Sequence, residues 1–348
     1  MLRAILPLVL LAIAPTAGAN ASPASAPTSA VEGHAPDFWR IIDKNEQVRI
    51  VASGFTWAEG PVWLADRGYL LLSDVPANRM YRWSPGAHAA SLFLEPSGSS
   101  ETKGLREPGS NGLKPGGPGR LLVADSGSRA IALLDLRTKR KRLLAERFQG
   151  KRLNSPNDLA VGPDGAIWFT DPAYGLEGID QSPLKEQQAN RVYRLAPDGK
   201  VAAIESELHF PNGIAFSPDG RTLYVSNSDP KYAVILAFDL SAQGKVSDRR
   251  VFVDMTALAA KGLPGLPDGM TVDEHGNLWA TGPGGVHVLT PDGRELGLIS
   301  TGSAISNCTF GGPGGRTLFM TSTHALAQVR TKVRGGPVRI PRTGGGSR

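Results

Sequence analysis

The chain has 348 residues, one cysteine at position 308 and a formal net charge of +6. No intramolecular disulfide can form, so stability has to come from a core and any bound ion. Arg3 and the terminal Lys332, Arg334, Arg339, Arg342 and Arg348 account for the whole positive excess, and the neutral body between them argues against a nucleic-acid partner.

In chain order, Arg3, an apolar run from Ile5 to Ala14 and small residues through Ala21 read as a secretory signal peptide over 1–19. That run is too short for the ~20 apolar residues of a bilayer crossing, so no membrane span and a periplasmic or secreted location are expected. Residues 20–37, opening on a Ser/Pro/Ala-rich stretch, are expected to be a disordered linker. At the other end, the Gly/Pro-rich and acid-free residues 331–348 are expected to be a basic disordered tail.

Between them, over 38–330, one pattern recurs: an acid or amide, a short apolar strand, a Gly-bearing turn and a second strand. Its six copies begin at Glu59, Asn111, Asn157, Asn212, Asp268 and Asn307, followed by second strands such as Tyr69-Leu-Leu-Leu-Ser-Asp, Ile167-Trp-Phe-Thr-Asp and Thr222-Leu-Tyr-Val-Ser-Asn. Copies lie roughly 40–56 residues apart, the length of a four-stranded blade. The expected fold is all-β, a six-bladed β-propeller, with Val48-Arg49-Ile50-Val51 expected to complete the last blade.

In a propeller, residues at one phase of each repeat point at the same axis. All six anchors carry a carbonyl or carboxylate oxygen, and Gly follows several of them. Asn-Gly and Asp-Gly are also ordinary turn dipeptides, but turns alone do not demand an oxygen at all six places. Oxygen donors without His or Cys favour Ca²⁺, with Mn²⁺, Mg²⁺ and Zn²⁺ as alternatives, the last lacking any histidine at the anchor phase.

Five segments carry a resemblance: Ala58-Glu-Gly-Pro-Val-Trp63, Asn154-Ser-Pro-Asn-Asp158, Trp168-Phe-Thr-Asp-Pro172, Phe210-Pro-Asn-Gly213 and Pro267-Asp-Gly-Met270. With them the chain resembles the gluconolactonase, regucalcin (senescence marker protein) and luciferin-regenerating-enzyme family over roughly residues 48–329. The resemblance implies that Glu59, Asn157, Asn212 and Asp268 bind the ion. It also implies that Asn111, Asn307 and Arg152 face a small-molecule substrate, a lactone.

On that reading a polarised lactone carbonyl is attacked by water, with Asp268 as the candidate general base. Trp57, Trp63, Phe55, Tyr174 and Phe210 are candidates for pocket walls, and His209 for proton transfer. The rim loops 96–110 and 174–190 are expected to select the substrate. A metal-dependent phosphotriesterase-type hydrolase and a non-catalytic ligand-binding propeller of the envelope remain alternatives, and nothing in the sequence sets an oligomeric state.

Overall fold

In the computed structural model, residues 29–241 and 244–342 are described, and the leader read over 1–19 lies outside them. Six antiparallel sheets of four or five strands stand around one axis, and a two-stranded ribbon, Arg147–Phe148 with Lys151–Arg152, lies between the second and third. The chain enters each sheet at its inner edge, through Ala58–Leu64, Leu113–Pro115, Leu159–Val161, Pro211–Phe216, Met270–Val272 and Asn307–Gly311. Each inner strand touches the next, and the sixth touches the first, so the ring is closed. The fold is the expected six-bladed β-propeller.

Local sequence explains the blades. Second and third strands such as Tyr69–Asp74, Arg120–Asp125 and Ala130–Asp135 are almost continuously buried, because both faces pack against neighbouring blades. Interleaved clusters fill each gap; one joins Trp168 and Phe216 of blades three and four, and another Val62 and Leu71 to Leu121 and Leu134 of blades one and two. Tight turns with glycine at positive φ, such as Gly165 and Gly220, join the paired strands.

Ring closure comes from the strand Arg49–Ser53, which pairs with Ala325–Arg330 as the outermost strand of blade six. A strand from the start of the propeller thus completes the blade that ends it.

Both ends depart from expectation. The linker expected over 20–37 is ordered in its described part: Ala30–Gly33 pairs with Glu295–Ser300 as a fifth strand of blade five. Phe38, Ile41 and Ile42 then sink into the core between blades five and six. An otherwise open sheet edge supplies the hydrogen bonds that this polar segment cannot make alone.

The expectation of a disordered tail from 331 is likewise corrected for 331–342. Thr331, Gly335, Gly336 and Arg342 donate backbone hydrogen bonds to Arg316, Gly315, Val272 and Gly165, and Val333 is buried. Arg334 pairs with Glu274, and Arg339 Nη2 donates to Pro218 O at 2.6 Å. The segment is a strap across the hairpin turns of blades six, five, four and three, at the end of the inner strands away from the anchors. A cavity of about 750 Å³ lies between strap and channel, lined by Trp63, Lys114, Phe216, Met270 and Phe310.

Candidate metal centre

A dipeptide on the second strand of the blades places the anchors. Its hydroxyl reaches forward to the next blade: Ser73 Oγ donates to Asn111 O at 2.8 Å, Thr170 Oγ1 to Asn212 O at 2.6 Å and Ser226 Oγ to Asp268 O at 2.9 Å. Its acid or amide reaches back to the loop entering its own inner strand. Asp74 takes the amide hydrogens of Thr56 and Trp57, Asp171 that of Asn154, and Asn227 that of Phe210. Asn212 is thus held from both sides, through its own carbonyl and through the loop that precedes it.

Blade two has Ala124 at the hydroxyl position, and there Gly112 N donates to Asn157 O at 2.8 Å instead. Gly269 N donates to Ser306 O at 2.7 Å, Ser306 Oγ to Ala58 O at 2.7 Å, and Asn307 Nδ2 to Glu59 Oε2 at 3.2 Å. The six anchors are therefore linked blade to blade in one closed ring.

The glycines after the anchors let this ring be narrow. A Cβ on Gly213 would stand 2.1 Å from Asp268 O, and one on Gly269 2.0 Å from Asn307 Cγ, distances no side chain accepts. The expectation of close backbone approach is met there.

Glu59, Asn111, Asn157, Asn212 and Asn307 are buried, and several of the oxygens lack a hydrogen-bond partner. Asn111 Oδ1, Asp158 Oδ2, Asn212 Oδ1 and Asp268 Oδ1 are all buried and unpartnered, an arrangement that costs free energy unless something positive meets them. The Asn212 amide is turned by its Nδ2, which donates to Ser228 Oγ at 2.9 Å.

Charge tells the same story. Burial, then the nearby Asp158 carboxylate, pushes Glu59 up to about 8. Burial, Glu59 and Asp158 hold Asp268 well above the carboxylate range, and burial raises Asp158 as well. Buried carboxylates in one another's field resist ionising together, and a divalent cation among them removes that repulsion. Among the described residues the only ammonium paired with this group is Lys114, whose Nζ lies 3.9 Å from Asp158 Oδ1 on the cavity side.

Among the described residues no three His, Cys, Asp or Glu gather closely enough to hold an ion by themselves. Amide oxygens must share the work, which fits a hard cation rather than zinc. Glu59, Asn157, Asn212 and Asp268 each bring a carboxylate or amide oxygen to this hydrogen-bonded ring. Asn307 is engaged with Glu59 and with Cys308 N, while Asn111 keeps its oxygen open.

Arg152 is not brought to the ring. Its Nη2 donates to Ser128 O at 2.9 Å and its backbone N to Glu186, so it braces the loops between blades two and three. His209 sits on the rim, between Asp229 at 2.9 Å and Asp180 at 3.2 Å, with its ring stacked on Phe210.

Sequence reasoning missed Ser228, Arg106 and Glu107. Ser228 follows the Ser226-Asn227 dipeptide directly, so the in-phase repeat of hydroxyl plus acid or amide was the available signal. Arg106 and Glu107 lie in a loop with no counterpart in the other repeats, and no periodicity marks them.

Fold and site together define a six-bladed propeller with a closed ring of oxygen donors around its axis. The chain belongs to the family described as the SMP-30/Gluconolactonase/LRE-like region, which matches residues 57–324. It is similar to a gluconolactonase of Zymomonas mobilis, 46% identical over 85% of this chain and 84% of that protein. It is also similar to the structure of a gluconolactonase from Xanthomonas campestris, at 34% identity and TM-score 0.73, covering 86% of this chain and 94% of that one. The calcium-binding regucalcin structure from Agrobacterium tumefaciens shares the fold, at TM-score 0.66 and 21% identity, covering 85% of this chain and 96% of that one.

Proposed function

We propose that this chain is a metal-dependent lactonase that opens the ring of sugar-acid lactones, with Ca²⁺ held by Glu59, Asn157, Asn212 and Asp268. The observation that carries the reading is the pair of unpartnered oxygens on Asn212 and Asp268, set beside a Glu59 pushed up to about 8. Close similarity to a gluconolactonase over most of both chains supports the reaction. The donor set supports the ion class, since oxygens from carboxylates and amides in a loose ring suit Ca²⁺ better than the strict octahedron of Mg²⁺.

A cation held there by Glu59, Asn157, Asn212 and Asp268 would supply Lewis-acid polarisation of a lactone carbonyl and offset the negative charge on its oxygen. The chain's own residues do the rest. Asp268, whose Oδ1 is buried without a hydrogen-bond partner, takes the proton of the attacking water. Asn111, with its buried open oxygen, accepts a hydrogen bond from a substrate hydroxyl. Asn307 fixes the Glu59 carboxylate in the ring. Arg152 holds Ser128 O through its Nη2 and Glu186 through its backbone N, bracing the loops beside the site. The leader-like residues 1–19 support export to the periplasm or medium, which a mature N-terminus retained at Met1 would contradict.

The test is hydrolysis of glucono-δ-lactone by chelator-stripped protein, before and after adding Ca²⁺, Mn²⁺, Mg²⁺ or Zn²⁺. Activity should vanish on stripping and return best with Ca²⁺, and Asp268→Asn should lose roughly 100-fold or more in kcat. Full activity in the stripped protein would overturn the reading. Turnover of an organophosphate triester without lactone turnover would replace it with the phosphotriesterase alternative.

A further inference from the structure

The mouth of the channel beside Asn212 and Asp268 is walled by two loops stitched together. Arg106 and Glu107 both donate their amide hydrogens to Gly175 O, at 2.9 and 3.2 Å, and Leu105 bridges to Leu176. Arg106 Nε donates to Tyr174 O at 2.8 Å. The Tyr174 ring stacks on Phe210 at a centroid distance of 4.9 Å, two residues before Asn212.

Side chains extend this chain of contacts one step further. The Arg106 guanidinium lies over the Tyr174 ring, 5.8 Å from its centroid, and Arg106 Nη2 binds Glu107 Oε1 at 2.5 Å. Phe210, Tyr174 and Arg106 thus fix a carboxylate at the mouth, and about a fifth of the Glu107 side chain stays open, at 19% exposure. It stands close enough for its charge to act on both Glu59 and Asp268. Its countercharge is Arg106 rather than an ion on the axis.

We propose that Glu107 is a specificity-determining residue, whose carboxylate accepts hydrogen bonds from the ring hydroxyls of a polyhydroxylated lactone. An ionised carboxylate is acceptor-only with two oxygens, which suits adjacent hydroxyl donors. A lactone with a bare alkyl ring offers it none and desolvates it without return, and a site built around a substrate hydroxyl rejects an analogue lacking it far more strongly than an apolar pocket rejects a methylene.

This inference rests on the lactonase reading, and its test separates the two. Wild type and Glu107→Gln are compared on glucono-δ-lactone and on δ-valerolactone, with Ca²⁺ affinity measured alongside by calorimetry. The variant should lose roughly 10–100-fold in kcat/KM on the hydroxylated lactone, mainly through KM. It should change less than about twofold on δ-valerolactone and less than about threefold in Ca²⁺ affinity. If wild type does not turn over δ-valerolactone, the split between KM and kcat on glucono-δ-lactone decides: a loss confined to kcat counts against the proposal. Equal losses on both lactones, no loss on the hydroxylated one, or a parallel collapse of Ca²⁺ affinity overturn it. Wild type inactive on both lactones defeats the lactonase reading instead.

Discussion

The side-chain amide of Asn212 donates to Ser228 Oγ at 2.9 Å, and this bond decides which end of the amide remains for the axis. Ser228 itself donates to Pro267 O at 2.6 Å, next to Asp268. One hydroxyl therefore orients two of the four proposed ligands. Ser228→Ala frees the amide to rotate and should weaken Ca²⁺ binding roughly 10–100-fold, the usual cost of losing a residue that orients a ligand. Calorimetric titration of stripped protein measures it; an unchanged Kd would show that Asn212 is not a ligand.

Gly269→Ala puts a methyl group 2.0 to 2.4 Å from the Asn307 side-chain amide. That amide cannot retreat without releasing Glu59, which it holds at 3.2 Å. Overpacking of this kind costs about 1–3 kcal/mol, and the melting temperature should fall by several degrees. Ion affinity should fall with it. A variant with wild-type melting and ion binding would mean that the ring is wider than the glycines imply.

Glu59 is held up to about 8 against an ordinary value of 4.5, the reverse of the usual carboxylate case. Between about pH 4.5 and about pH 8 the folded, ion-free protein binds more protons at this group than the unfolded chain does, so its stability falls as pH rises through that window. Asp171, raised to about 7 by burial, pushes in the same direction with or without an ion. Ion binding needs the ring carboxylates ionised. The gap in melting temperature between Ca²⁺-loaded and stripped protein should widen steadily from pH 5 to pH 8. A constant gap would contradict the assignment of Glu59.

Removing residues 333–348 takes away the strap, with its buried Val333, the Arg334–Glu274 pair and the Arg339 bonds to the turn at Ser217 and Pro218. The loss should cost roughly 2–4 kcal/mol and lower the melting temperature by about 5–10 °C. The strap crosses the far end of the inner strands, so kcat/KM measured well below melting should change less than about twofold. A large loss of activity would show that the lower mouth takes part in the reaction.

The six anchors were readable in the sequence because a propeller repeats its phase. Glu59, Asn111, Asn157, Asn212, Asp268 and Asn307 stand at equivalent places, and equivalent places meet at the axis. The closing strand Arg49–Ser53 was readable for a related reason, as a strand-forming run with no partner nearby in sequence. Glu107 was not readable, because a loop that occurs once carries no period to compare it with.

Composition misled at both ends for one physical reason. Ala30–Gly33 and the Gly/Pro-rich strap are too polar or too small to make a core of their own, so taken alone they look unstructured. They order because other parts of the molecule offer bare sheet edges and turn carbonyls, at Glu295–Ser300 and at Gly165, Val272 and Pro218.

Residue type and spacing by themselves determined the all-β repeat, the number of blades and the oxygen chemistry at the axis, since these follow from local strand patterning and from phase. Only the tertiary structure decided which of those oxygens lack partners, that Ser228 orients Asn212, that Arg152 turns away and that Arg106 and Glu107 reach the mouth. Hydrogen bonding and electrostatic crowding depend on distances between residues far apart in the chain, and those distances exist only once the ring has closed.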